Sequence, residues 1–219
     1  MVISASLLAV HGGRIAPLGP DLVPSAFVKT PLSGAVQVHP GGLQGDEQAD
    51  LSVHGGPEKA VYGYAAAHYP AWRAELPEHA AQFGNGAMGE NLVIAGMDEA
   101  ALCVGDVHQI GSVVLQVCQP RRPCFKLALR FGDNRLPRAM VRNGRAGWYY
   151  RVLEPGSLRA GDAVTLSERP HPDFSFARLV SIVNYGNATM AELSRMTEMA
   201  GLASQWRARA SEALREGNA

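Results

Sequence analysis

The segment "QPRRPCFK", Gln119 to Lys126, sets a thiol just after two prolines and among three cations. Arg121, Arg122 and Lys126 all lie within three residues of Cys124. Nearby positive charge favours the thiolate, the form that attacks electrophiles and binds metals. On residue types alone three roles stay open: a filler of the core, a nucleophile, or a metal ligand. Pro120 and Pro123 interrupt a strand ladder, so the thiol belongs in a loop just after the strand read over Ser112–Gln119. Cys103 and Cys118 stand in apolar, strand-like contexts and read as buried structural thiols. Neither Cys-x-x-Cys nor His-Glu-x-x-His occurs, so linear spacing gives zinc no support. Nucleophilic chemistry would need a base brought near in space, for which His54 is a candidate.

Groups suited to anions and protons stand elsewhere in the chain. "GGLQGDEQAD" (41–50), "VHGGPEK" (53–59) and "FGNGAMGEN" (83–91) are glycine-rich loops whose amides could cradle a phosphate. None of them matches the Walker or dinucleotide fingerprint. Asp46, Glu47 and Asp50 in the first loop, with His54 shortly after, supply proton-handling groups; the plainer reading is a solvated acidic turn. In "VKTPLSG", Lys29 and Thr30 fall at a strand end before Pro31. A lysine beside a hydroxyl suits an oxyanion, although an edge lysine also guards against aggregation.

The elements that must hold these groups are mostly strands. With 24 Gly and 14 Pro in 219 residues the chain is densely punctuated, as many short strands and turns require. Strands are read over Ile3–Leu8, Ser25–Lys29, Gly34–His39, Glu90–Gly96, Asp106–Gly111, Ser112–Gln119, Gly147–Leu153 and Asp162–Glu168. Such a set suggests a closed barrel or a sandwich. Helices are read over Tyr69–Leu76 and Pro137–Gly144, the second with proline near its start and glycine past its end. "ERPHPDF" (168–174) reads as a linker. Beyond it Phe176, Leu179, Val180 and Val183 follow helical spacing toward Gly186. A second helix runs through Leu193 and Met196, and Ser204 opens a third with Trp206, Ala210 and Leu214 on one face. The division is therefore a mainly β barrel domain with helical insertions, 1–168, and a small three-helix domain, 169–219. Three short helices cannot bury a core alone, so they must pack on the barrel or on a second subunit as a homodimer.

A formal net charge of zero argues against a dedicated nucleic-acid binder. Nine cations between Arg121 and Arg151 face a single acid, Asp133, and basic residues beside a loop suit a small anionic ligand. No apolar run approaches the length of a membrane span. "MVISASLLAVHGG" has no basic lead and no cleavage site, and three cysteines make no disulfide framework, so a reducing cytoplasm is expected.

Five ordered motifs carry a family resemblance across essentially the whole chain. They are Lys-Thr-Pro-x-x-Gly, Gly-Leu-x-Gly-Asp-Glu-Gln-Ala-Asp, His-Gly-Gly-Pro-x-Lys-Ala-Val-Tyr, Gly-Glu-Asn-Leu and Gln-Pro-Arg-x-Pro-Cys-x-Lys. In this order they resemble the MOSC domain family, in its YiiM-type branch with a three-helix C-terminal domain. The resemblance implies a MOSC-type β-barrel that binds the molybdenum cofactor, a pterin dithiolene carrying a phosphate. It implies reduction of N-hydroxylated compounds, such as hydroxylamino purines and amidoximes, to amines, with electrons from a partner redox protein. By motif position, Cys124 corresponds to the metal-binding cysteine. Arg121, with Arg122 beside it, corresponds to the basic group near the cofactor, Lys29 and Thr30 to the pterin-associated pair, and Asn91 to a position near the pterin or its phosphate. Asp46 and His54 hold motif positions around the pocket, where they would relay protons. The alternative is a sulfur-carrier or cofactor-binding MOSC module that uses Cys124 as a persulfide acceptor. "HGGRIAP" (11–17) matches none of these motifs.

Overall fold

A computed structural model describes residues 5–50 and 55–217. In chain order its strands are β1 (Ala5–Gly12), β2 (Ala16–Leu18), β3 (Val23–Ser25), β4 (Thr30–Pro31), β5 (Val36–His39), β6 (Gly42–Leu43), β7 (Val61–Ala65), β8 (Leu92–Ala95), β9 (Val107–Ile110), β10 (Val113–Pro120), β11 (Trp148–Glu154), β12 (Gly156–Leu158) and β13 (Ala163–Glu168). Its helices are α1 (His68–Glu75), α2 (Phe125–Phe131), α3 (Arg135–Asn143), α4 (Phe176–Tyr185), α5 (Met190–Glu198) and α6 (Ser204–Gly217).

Seven strands close on themselves in the order β13-β9-β10-β11-β7-β8-β1, with β1 pairing back onto β13. Closure leaves the barrel strands without free edges. Alternation builds the interior: Val113, Leu115 and Val117 of β10 and Trp148 and Tyr150 of β11 all point inward and are fully buried. β7 and β8 pair in parallel and are buried on both faces. Val61, Ala65, Leu92 and Ile94 face the barrel interior, whereas Tyr62, Tyr64 and Val93 face a second apolar cluster outside it. α1, α2 and α3 cover that outer cluster with Trp72, Leu127, Phe131, Leu136 and Met140. This explains why "VYGYA" escapes a search for alternating strands: with both sides covered, the polar half of the pattern is absent.

The predicted strand Ser25–Lys29 is corrected. The strand is Val23–Ser25, paired with β2, and residues 26–29 run irregularly to the two-residue β4. This irregular run brings Lys29 to the site. Gly13 passes so close beneath it that a Cβ there would meet the Ala26 carbonyl oxygen at 2.6 Å.

The three predicted C-terminal helices are present. α4 ends at Gly186 in the left-handed conformation, and α5 starts with a Thr189–Glu192 capping box. Their core is shared with the barrel, since Phe176, Leu179, Met196, Leu202 and Trp206 join one apolar cluster with Leu102, Val104 and Val117. No helix among the described residues is long and apolar enough to cross a membrane.

Candidate functional site

The β10–β11 register aims the cysteine segment. The pairing slips between Val117 and Gln119, a bulge at Cys118, before Gln119 meets Tyr149 and Pro120 meets Trp148. The chain then leaves the sheet through 121–124, and Cys124 is the residue before α2, with extended φ −119 and ψ 170. Its backbone caps the helix, while its side chain makes no capping bond. As expected from the two prolines, the thiol stands in a loop just after a strand. Of the three cysteines it alone is partly exposed. Burial pushes the Cys118 thiol up to about 12, and Cys118 lies 3.1 Å from the Glu58 carbonyl oxygen as a weak donor. Burial raises Cys103 as well. Both therefore remain neutral thiols.

Cys124 stands where two clefts meet. The first is lined by Phe27, Lys29, Asp46, Tyr62, Arg121 and Lys126, among others, and encloses about 90 Å³, or about 580 Å³ counting its open mouth. Arg121 is 6% exposed, its guanidinium 5.2 Å from the Phe27 ring centroid and 5.1 Å from that of Tyr62. Burial opposes its charge, yet Tyr62, Tyr149 and Cys124 hold its pKa above the ordinary arginine value. Tyr62 and Tyr149 are cross-strand partners with ring centroids 5.3 Å apart. Tyr62 closes the third of the five motifs and Tyr149 falls in the strand read over Gly147–Leu153, but nothing in the sequence brings them together. Their signal was the register of two strands, which a linear reading lacks.

Behind this wall runs a buried polar chain. Lys29 Nζ donates to Asp46 Oδ1 in an ion pair whose side chains are 8% and 5% exposed. Asp46 Oδ1 also accepts from the Gly13 amide at 2.7 Å, and Asp46 Oδ2 accepts from Asn91 Nδ2 at 2.8 Å. Asn91 Oδ1 in turn accepts from the Tyr62 amide at 3.0 Å. Four separated motifs are thus joined. "HGGRIAP" gains a positioning role, since Gly13 and Ile15 amides and Arg14 hold Asp46 and Glu47. Glu90, beside Asn91, is fully buried and accepts from the Gly86 and Met88 amides at 2.6 and 2.9 Å and from the Tyr69 hydroxyl. It fixes the turn that carries Gly89 to the cleft.

The remaining predicted residues lie apart from this chain. Thr30 is exposed, its hydroxyl 3.4 Å from the Gly12 carbonyl oxygen, and does not line the cleft. Arg122 lines the second cleft instead of the first. His54 falls outside the described residues. Much of the local excess of cations is balanced in space. Arg135 pairs with Glu78 and Asp133, Arg142 and Arg145 with Glu75, and Arg151 with Glu58. Glu78, His79 and Asp133 could together ligate a metal, but Arg135 already engages both carboxylates.

The second cleft, about 260 Å³, shares Lys59, Cys124 and Tyr149 with the first and is closed by Gln205, Trp206 and Arg209 of α6. Glu58 pins that helix, its carboxylate accepting from the Ser204 amide at 2.9 and 3.0 Å and from the Ser204 hydroxyl at 2.8 Å. Gln119 Oε1 accepts from Gln205 Nε2 and from Trp206 Nε1, the latter at 3.2 Å.

Comparison with known proteins places this architecture. A protein named "Reductase" from Gibberella moniliformis is 41% identical over 196 residues, covering 88% of this chain; the chain spans 35% of that protein's length. "Protein YiiM" of Escherichia coli is 35% identical over 197 residues, covering 90% of this chain and 87% of that one. The crystal structure of YiiM from Geobacillus stearothermophilus superposes with a TM-score of 0.79 at 28% identity, covering 96% of this chain and 99% of that one. Residues 50–165, which include Cys124, Asn91 and five of the seven barrel strands complete, match the MOSC domain. With barrel, motifs and relatives in agreement, the chain belongs to the MOSC domain family.

Proposed function

We propose that the chain is a molybdenum cofactor-dependent reductase that converts N-hydroxylated compounds, such as hydroxylamino purines and amidoximes, to amines. The observation that carries this reading is the placement of Cys124. It is the one partly exposed thiol, and it opens on a cleft lined by four cations (Lys29, Lys59, Arg121, Lys126) against two carboxylates (Asp46, Glu47).

The residues fit such a group in donor type and in charge. A thiolate is a soft ligand suited to a sulfur-bound metal. The cationic excess suits a phosphate-bearing pterin. When bound, the cofactor supplies a two-electron reduction in which the N–O bond of the substrate breaks. Cys124 Sγ would hold the metal. Arg121 would balance negative charge from a fixed position between Phe27 and Tyr62, and Lys29, held by Asp46 and through it by Asn91, would do so at the far wall. Thr30 and Arg122 do not line this cleft and enter the reading by motif position alone. Asp46 and His54 are the proton carriers in this reading, and electrons come from a separate redox protein. Barrel residues 1–168 hold the cofactor, and the three-helix unit, 169–219, completes the second cleft and is the natural surface for a homodimer.

The decisive measurement is metal content after expression in a host that makes the cofactor. Wild-type protein should carry molybdenum and Cys124→Ala should lose it, along with turnover of an N-hydroxylated purine. Equal molybdenum in the two proteins would sink the ligand assignment.

A further inference from the structure

The second cleft has no place in the cofactor reading, yet it reaches the same thiol. It presents Lys59, Arg122 and Arg209, and no carboxylate among the described residues lines it. Its cations are not on loose ground. Arg209 lies over the Trp206 ring, 4.9 Å from the centroid, so its fork is stacked on a buried surface. Trp206 and Gln205 are tied to Gln119 of β10, and the start of α6 is tied to Glu58. Pro120, Pro123 and Tyr149 supply the uncharged wall on the Cys124 side. A concave site that combines prolines, a tyrosine and a tryptophan with three cations suits a small amphiphilic anion. The volume, about 260 Å³, falls just short of the usual small-ligand range of roughly 300–1,000 Å³ and excludes a folded partner from entering.

The geometry points to this cleft as the substrate site, and to a substrate that is a phosphate monoester of a planar compound, of mononucleotide size. The ring lies along Tyr149 and the prolines toward Cys124, and the phosphate is held by Arg122 and Arg209 with Lys59. This rests on the reductase reading for what happens at the ring, but binding itself needs neither metal nor turnover. It assigns to α6 a specificity role: the helical unit selects phosphorylated over neutral N-hydroxylated compounds.

The test is calorimetric titration of the purified chain with adenosine 5′-monophosphate, adenosine and inorganic phosphate, none of which can be reduced. The monophosphate should bind at least about 10-fold more tightly than either of the others, as one well-placed charge-assisted contact allows. Arg209→Gln and Arg122→Gln should each weaken it about 10-fold, and Lys126→Gln, on the first cleft only, should leave it within about 2-fold. Equal binding of adenosine and its monophosphate overturns the proposal, as does a monophosphate affinity indifferent to both arginines. An effect confined to Lys126→Gln overturns it too, because the anion would then sit in the first cleft. Phosphate binding as tightly as the nucleotide removes the ring from the site and overturns the substrate class. Each of these failures leaves the molybdenum content of the wild type and of Cys124→Ala untouched, so the two readings fall separately.

Discussion

On the barrel side of Cys124 the cleft wall is a chain of buried polar groups bonded to one another. On the helical side the wall is a set of exposed cations on a frame held by one carboxylate and one amide. Asp46 illustrates the first kind, accepting from Lys29, Gly13 and Asn91 at once. Glu58 and Gln119 illustrate the second, joining the start of α6 to the barrel while Arg122 and Arg209 stand in solvent. The difference teaches where charge is spent on structure and where it is left for a ligand. Buried charges must be paired, so the Lys29 ammonium of the first cleft is committed to Asp46. Exposed cations carry little desolvation cost and remain available to an incoming anion.

The sharpest way to break this contrast is Asp46→Ala. It leaves the Lys29 ammonium buried without its carboxylate and deprives the Gly13 and Asn91 N–H groups of an acceptor. Removing one partner of a buried pair costs about 3–5 kcal/mol, read as a lower urea midpoint. Asp46→Asn keeps an acceptor and should lose less. A loss under about 1 kcal/mol for Asp46→Ala would mean that the barrel side is not held by this pair.

Acidification probes the barrel interior separately from both clefts. His108 lies inside, with Nδ1 2.8 Å from the Tyr150 hydroxyl. Burial pulls its pKa from 6.5 down to about 4, with nearby Asp106 acting the other way and Arg169 adding to the drop. Between these two values the unfolded chain binds a proton that the folded chain refuses. Stability therefore falls as the pH drops through that window and levels off below it, by about 3 kcal/mol in full. His108→Gln should flatten this part of the profile of unfolding free energy against pH. An unchanged slope in the variant would assign the acid sensitivity to other groups.

Glu58→Ala tests the helical side. Glu58 holds Arg151 and the first amide of α6, partly exposed, so about 2 kcal/mol is expected from loss of charge-assisted bonds and a cap. Hydrogen exchange in the first turn of α6 should quicken, while the amides around Asp46 keep their protection. Equal quickening in both places would erase the distinction between the two walls.

How much of this was legible in the sequence follows the same division. Cys124 in a loop after a strand, and Cys103 and Cys118 as buried thiols, were readable because proline punctuation and apolar context are local signals. The C-terminal helices were readable because periodicity and caps are local too. Asp46, Lys29 and Asn91 could be named as separate motif positions, but their joining through Gly13 depends on a close approach of distant segments. Tyr62 and Tyr149 depend on cross-strand register. β7 was hidden by burial on both faces, and four of the nine cations from 121 to 151 meet Glu58, Glu75 and Glu78 from other segments, which no linear reading shows.

Thr189→Ala is the smallest of the effects and the finest control on the comparison. Thr189 Oγ1 accepts from the Glu192 amide at 3.2 Å, and the Glu192 carboxylate returns a bond to the Thr189 amide at 2.7 Å. Arg178 also grips that carboxylate at 2.6 and 2.8 Å, and this chiefly holds Glu192 down at about 2. Losing the threonine removes one cap and leaves the ion pair, so about 1 kcal/mol should be lost. α5 contributes no residue to either cleft, although it packs on α6 through the shared core. If α6 is positioned by Glu58 and Gln119, nucleotide titration of Thr189→Ala should match wild type despite the lower unfolding midpoint. A parallel loss of affinity would show that the second cleft is set by the packing of the whole helical unit and not by the two barrel residues that pin its last helix.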